Sequence, residues 1–246
     1  MMRISVLIAI AAMLANIPST AWSADPAFTI RQAIDAHGGA DVLEKYPAMT
    51  AKMSGTMQFS GVEVPFTGTL AMQVPGKMRL ELNIANLGLP VAIVQVVDGE
   101  QVSQTVNGAP LPLGGPMQNE LKQMAAMQEL SMLTPLLNSK RYTIKSEKLE
   151  RAGNRSLAVI TVRAKGMRDV KMYFDNKTGL LAKMQRRAIG PEMREVTEDT
   201  MFDDYQALHG MMVPMKSKAM HDGKQYMTMT FSDVELFERL DGAKLR

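Results

Sequence analysis

A chain of 246 residues without a single cysteine has no disulfides, no thiolate metal sites and no thiol nucleophile, so its stability has to come from burial. A formal charge of +3, with Lys and Arg interspersed among Asp and Glu and only 5% aromatic residues, supplies neither the basic face nor the stacking platforms that nucleic acid requires. The outlier is methionine at 23 residues, a flexible, polarizable side chain suited to irregular cavities and adaptable apolar surfaces.

The first predicted element is an export signal. Arg3 is the only charge before Asp25, an apolar run from Ile4 to Leu14 follows, and Pro18 breaks it. Ala21 and Ser23 place small side chains where a signal peptidase reads them, with a cut after Ala24 as the alternative, so 1–23 reads as a secretory signal peptide. A membrane anchor would need ~20 apolar residues, and a lipoprotein would need a cysteine at the cut. No second run of ~18 apolar residues occurs, and 24–246 is expected to be one domain, free in the periplasm.

Residues 26–46 read as helix: Ile30, Ala33, Ile34 and His37 share a face, Gly38-Gly39 interrupt it, and Asp41 to Tyr46 add a further turn. From Thr50 the period changes to two. Leu70, Met72 and Val74 alternate with polar or small residues, as do Met78, Leu80, Leu82 and Ile84 with Arg79, Glu81 and Asn83. Turn signals at Ser60-Gly61, Pro75-Gly76, Asp98-Gly99, Asn107-Gly108, Gly153-Asn154, Asp175 to Gly179 and Asp222-Gly223 separate about eleven strands. They fall near 50–59, 64–74, 78–84, 91–98, 101–106, 142–149, 156–164, 169–174, 180–189, 193–204, 211–221 and 226–236, two of these ranges being able to merge. So many antiparallel hairpins imply a curved sheet or barrel.

One helix interrupts the strands. Between Pro116 and Pro135, residues Met117, Leu121, Met124, Met127, Leu130 and Leu133 form a drifting apolar stripe, with Gln118, Glu120, Lys122, Gln123 and Gln128 opposite. Such a helix has to lay its apolar side on the sheet or across its opening. The best boundary, were there two domains, lies near 138–141.

Chemistry-bearing constellations are sparse. His37, His209 and His221 lack metal-ligand spacing, and no nucleophile elbow or phosphate loop occurs. An enzyme would need His209 or His221 to meet an acidic residue in a cleft, which no spacing predicts. Glu195, Glu198, Asp199, Asp203 and Asp204 read as a solvated strand face and turn. Met211, Met212, Met215, Met220, Met227 and Met229 crowd two neighbouring strands, but Met227, Met229 and Phe231 share one face, the pattern of apolar lining and not of a thioether copper site. No catalytic residue, metal ligand or cofactor is therefore predicted.

Three stretches carry a resemblance. Leu70 to Leu82 (LAMQVPGKMRLEL) looks like a strand, Pro-Gly turn and Arg-bearing strand, Val94 to Val102 (VQVVDGEQV) like the next hairpin, and Phe202 to Leu236 (FDDYQALHGMMVP, MTFSDVEL) like a characteristic tail. Together they resemble the superfamily of the periplasmic lipoprotein carrier LolA, which also holds LolB, LppX and the N-terminal domain of RseB. The resemblance implies a mainly β fold with an α lid: a half-open antiparallel β-barrel whose concave face is covered by the N-terminal and the inserted amphipathic helix. It also implies a non-enzymatic carrier or binder of lipid or lipoprotein acyl chains. The alternative is an RseB-like interaction or sensor module partnering an inner- or outer-membrane protein. Leu70, Met72, Met78, Leu80, Leu82, Met227, Met229 and Phe231 would line the cavity, and Leu121, Met124, Met127 and Leu130 would close it. Where the carrier has an arginine just before the turn proline, helping to hold its lid, this chain has Val74, and Arg79 falls on the polar face of its strand.

Overall fold

The computed structural model describes residues 25–59, 61–85, 89–190 and 193–245. The predicted signal segment 1–23 lies outside the described residues. Helix α1 (Pro26–Ala36) starts on Asp25, whose carboxylate accepts from the Ala27 N–H at 3.0 Å, with Pro26 in the first turn. Its buried face is Thr29, Ile30, Ala33 and Ile34. The Gly38-Gly39 corner separates it from α2 (Ala40–Lys45). Gly38, at φ +119°, lies so close to another turn that a Cβ there would come within 2.2 Å of the Gly210 carbonyl oxygen. The Met212 N–H then donates to the His37 carbonyl at 3.0 Å, fixing the corner to the sheet.

The first run of strands is β1 (Ala48–Phe59), β2 (Val62–Gln73), β3 (Lys77–Ile84), β4 (Val91–Asp98), β5 (Gln101–Val106) and β6 (Ala109–Pro110). Helix α3 (Gly115–Ser131) and a 3-10 turn (Thr134–Leu137) follow. The second run is β7 (Thr143–Ser146), β8 (Glu150–Ala152), β9 (Arg155–Arg163), β10 (Val170–Asp175), β11 (Leu181–Ile189), β12 (Glu195–Leu208), β13 (Met211–His221) and β14 (Lys224–Phe237). A final 3-10 turn, Gly242–Leu245, lays Leu245 with Leu240 over Ala48 and Ala71 on the outer side of the sheet.

Among the described residues the strands number fourteen against the eleven or so expected. Within the predicted 142–149 range only β7 forms, β8 is an additional strand just after it, both paired to β9, and the Asn107-Gly108 turn folds the chain back into the two-residue β6. All belong to one antiparallel sheet in the order β6-β5-β4-β3-β2-β1-β14-β13-β12-β11-β10-β9-β7, with β8 beside β9. The sheet is open: β6 and β7 are its two ends, and α3 is the segment that joins them. Extra residues curl it. Thr50 pairs with Glu235 but Lys52 with Ser232, so β14 bulges at Asp233 (φ +48°), and a second bulge lies between Tyr173 and Phe174 where β10 meets β11. The result is a half-open barrel with a helical lid.

Candidate functional site

Cross-strand partners share a face of the sheet, so the register identifies the concave lining. One row runs Val64, Met57, Met227, Ala219, Thr200, Met184, Met172 and Ile160 across eight strands. Another runs Val91, Ile84, Phe66, Gly55, Met229, Ser217 and Phe202. All twelve predicted lining residues join one apolar cluster with these rows. Leu70, Met72, Met78, Leu121 and Leu130 are buried in it, whereas Leu80, Leu82, Met124, Met127, Met227, Met229 and Phe231 remain half-exposed at its margin.

The two halves of the concavity differ. Under α1 and the 3-10 turn, the face of β9 to β11 is filled: Ile160, Val162, Met172 and Phe174 are 0% exposed. On β3, β4 and β14, Leu80, Leu82, Val91, Ile93, Met227, Met229 and Phe231 stay partly open to solvent, while Met78, Ile84 and Val97 are buried. Two polar features interrupt this open half. The side chains of Gln95 and Gln104, which share the Leu80 row, bond to each other at 2.7 Å. The Ser217 hydroxyl, 7% exposed between Phe202 and Met229, has no hydrogen-bond partner among the described residues.

The lid is held by a charge cluster that the sequence reading placed on the surface. A third inward row reads Ile144, Val162, Val170, Arg186, Glu198 and His221. Alternation thus drives Arg186 into the apolar side, where it has to be paired. Its Nε donates to Glu198 Oε1 at 3.0 Å, and Nη1 lies 2.5 Å from Glu120 Oε1 on α3, a contact of charge without a directed hydrogen bond. Glu120 Oε2 accepts from Arg168 at 2.7 Å and from the Ile189 N–H at 2.9 Å. Burial pushes the Glu198 carboxyl up, but the His221 hydrogen bond and the Arg186 charge outweigh it and hold it below the usual carboxylate range.

Two expectations are corrected by these contacts. Glu198 belongs to a buried network and not to a solvated face, and Glu120 and Gln123, expected on the wet side of α3, are buried at 5% exposure each. The reason is that α3 is gripped on both flanks. Lys122 donates to Glu100 at the β4–β5 tip at 2.6 Å, while Gln123 donates to the Gly166 carbonyl at 2.9 Å and accepts from the Arg168 N–H at 3.0 Å at the β9–β10 tip. Glu129, also buried, takes Arg141 through both carboxylate oxygens and the Tyr142 hydroxyl at 3.1 Å.

His221 does meet an acidic residue, at 3.2 Å from Glu198, against the expectation from spacing. Its ring lies flat on Tyr226 with centroids 4.0 Å apart and Arg186 shares the same carboxylate, so the trio is engaged in packing and charge pairing. His37 is structural. Its Nδ1–H donates to the Ala33 carbonyl at 2.7 Å and its Nε2 accepts from the Leu181 N–H at 3.4 Å, which requires the neutral ring. Burial lowers its pKa below the ordinary 6.5. The unfolded chain therefore takes up a proton that the folded chain resists, so stability is full above pH 6.5 and lost as pH falls through the depressed folded value. His37→Gln is expected to flatten this acid limb of the urea midpoint, and a wild-type midpoint that does not change from pH 7.5 to pH 5.5 would contradict the assignment.

Solved structures decide what the fold resembles. A LolA superfamily protein from Nitrosomonas europaea superposes with a TM-score of 0.58 at 9% identity, over 89% of this chain and 96% of its own. A DUF1329 family protein from Desulfovibrio piger gives 0.57 at 10% identity, covering 89% and 95%. The fold is LolA-like. A putative outer membrane lipoprotein-sorting protein domain from Vibrio parahaemolyticus shares this LolA-like architecture, with a TM-score of 0.52 at 10% identity over 89% and 94% of the two chains. No protein-family model and no curated protein sequence matches the chain. Val74 packs beside the core, and α3 is paired through Glu120 with both Arg186 on β11 and Arg168 at the β9–β10 tip.

Proposed function

We propose that this protein is a non-enzymatic periplasmic carrier that binds lipid or lipoprotein acyl chains along its concave face, in one domain spanning 24–246. The supporting observation is the half-exposed apolar margin. A filled core would bury Leu80, Leu82, Met227, Met229 and Phe231 as completely as it buries Met172 and Phe174. Thioether side chains there adapt to a flexible hydrocarbon, and each methylene removed from water contributes roughly 0.8 kcal/mol. The unpartnered Ser217 hydroxyl in the same row suits an ester or carboxyl oxygen. Met124 and Met127 on α3 would cover the chain, and an inner- or outer-membrane protein would deliver or receive it.

Native mass spectrometry of protein purified from its own envelope tests this reading. The expected result is a retained lipid mass that organic extraction removes. A stoichiometric membrane protein co-purifying without lipid would favour a sensor or interaction module instead, and bare protein throughout would count against the carrier.

A further inference from the structure

A cleft of about 670 Å³ opens beside α3, away from the twelve predicted lining residues. It lies between the helix, the 140–142 segment and the β9–β10 tip, and its floor is apolar: Ala126, Tyr142, Ala164 and Met167, the last three packed on the main core. Its rim is cationic. Lys122, Lys140, Arg141 and Lys165 line it, with Glu100 the one acidic residue. Lys122 is matched by Glu100 and Arg141 by Glu129. Lys140 and Lys165, both exposed, form no ion pair among the described residues. An apolar floor continuous with the core, beneath two unmatched ammonium groups, has the polarity of an anionic amphiphile.

We propose that this cleft binds an anionic headgroup through the net negative charge that its phosphate carries. The inference rests on the carrier reading above and adds to it the charge class of the cargo. Two lysines on the rim of one cleft can offer an anion charge-assisted contacts, exposed enough to be screened by salt. A phosphate is offered equally by a phospholipid and by a small soluble phosphate ester, so the probe has to separate them.

The test uses the purified mature chain and short-chain phosphatidylglycerol, short-chain phosphatidylcholine and glycerol phosphate, titrated by calorimetry at low and at high salt. Phosphatidylglycerol is expected to bind roughly tenfold tighter than phosphatidylcholine at low salt, the preference shrinking as salt rises. The double variant Lys140→Glu, Lys165→Glu, on exposed positions that leave the melting curve unchanged, should bind phosphatidylcholine normally and lose the preference. Glycerol phosphate binding as tightly as phosphatidylglycerol, and lost in the same variant, would support the anionic site and name a soluble ester as its source. Equal binding of the two lipids, of which phosphatidylcholine carries the phosphate without net charge, or a preference that survives charge reversal, overturns the anionic-headgroup site while leaving the carrier reading intact. Charge-dependent binding of glycerol phosphate with neither lipid bound would do the reverse, and binding of none of the three would reject both.

Discussion

Replacing Arg186 by methionine is expected to destabilise the protein by about 3–5 kcal/mol, because it leaves two carboxylates without their shared cation inside an apolar face. Arg186 is 3% exposed at its side chain, Glu120 6% and Glu198 18%, so water reaches the first two hardly at all. Glu120 would keep Arg168 and the Ile189 N–H, and Glu198 would keep His221, which places the loss at the lower end of that range. The effect reads out as a lower urea midpoint with unchanged slope. Adding Glu120→Gln and Glu198→Gln should return much of it, since the cost lies in stranded charge more than in a lost attraction. A midpoint equal to wild type for Arg186→Met alone would show that the cluster is solvated. The same variant removes the Arg186 tie between α3 and β11 and leaves only the Ile189 N–H bond of Glu120 there, so lipid exchange should accelerate in step with the loss of stability.

The second large effect separates filled core from open face. Phe174→Ala should cost about 3–5 kcal/mol, because the side chain is wholly enclosed and its neighbours cannot collapse into the space. Met229→Asn, on the half-exposed row, should cost about 1 kcal/mol, in keeping with the smaller apolar area that it withdraws from water. Lipid retention should follow the opposite order, with Phe174→Ala keeping its lipid while folded and Met229→Asn losing it. If Met229→Asn proves as destabilising as Phe174→Ala, the concave margin is packed core and the binding face has been misplaced.

Much of the architecture was legible because strands announce themselves by period and turn chemistry. The Pro75-Gly76 turn set the β2–β3 hairpin and the Asp98-Gly99 turn the β4–β5 hairpin, and the two Pro residues bracketed α3. The inward rows were legible for the same reason: Leu70, Met72 and Met78 fall on the face their alternation requires. What local pattern could not supply was the seam. Nothing near Met53 or Met57 says that their neighbours are Phe231 and Met227, since that pairing is a property of closure and not of any window. The buried charges escaped for a related reason. Arg186 beside Arg187, and Glu198 among four other acidic residues, look like surface when read as runs. Only the alternation Met184, Arg186, Ala188 against Val196, Glu198, Thr200 reveals two charges at inward positions facing each other.

The seam between the first and last strands has a consequence for how the chain reaches this form. Because β1 closes against β14 in the middle of the sheet, the front half of the protein can build β1 to β6 yet still present the long edge of β1, from Ala48 to Met57, to whatever is nearby. That edge is satisfied only by residues 227–237, which are made after every other strand of the sheet. Contacts of such sequence separation form late, and an unpaired strand edge invites pairing with other chains meanwhile. The molecule is thus assembled like a clasp fastened last at its centre, and its most vulnerable moment is the interval before the tail arrives.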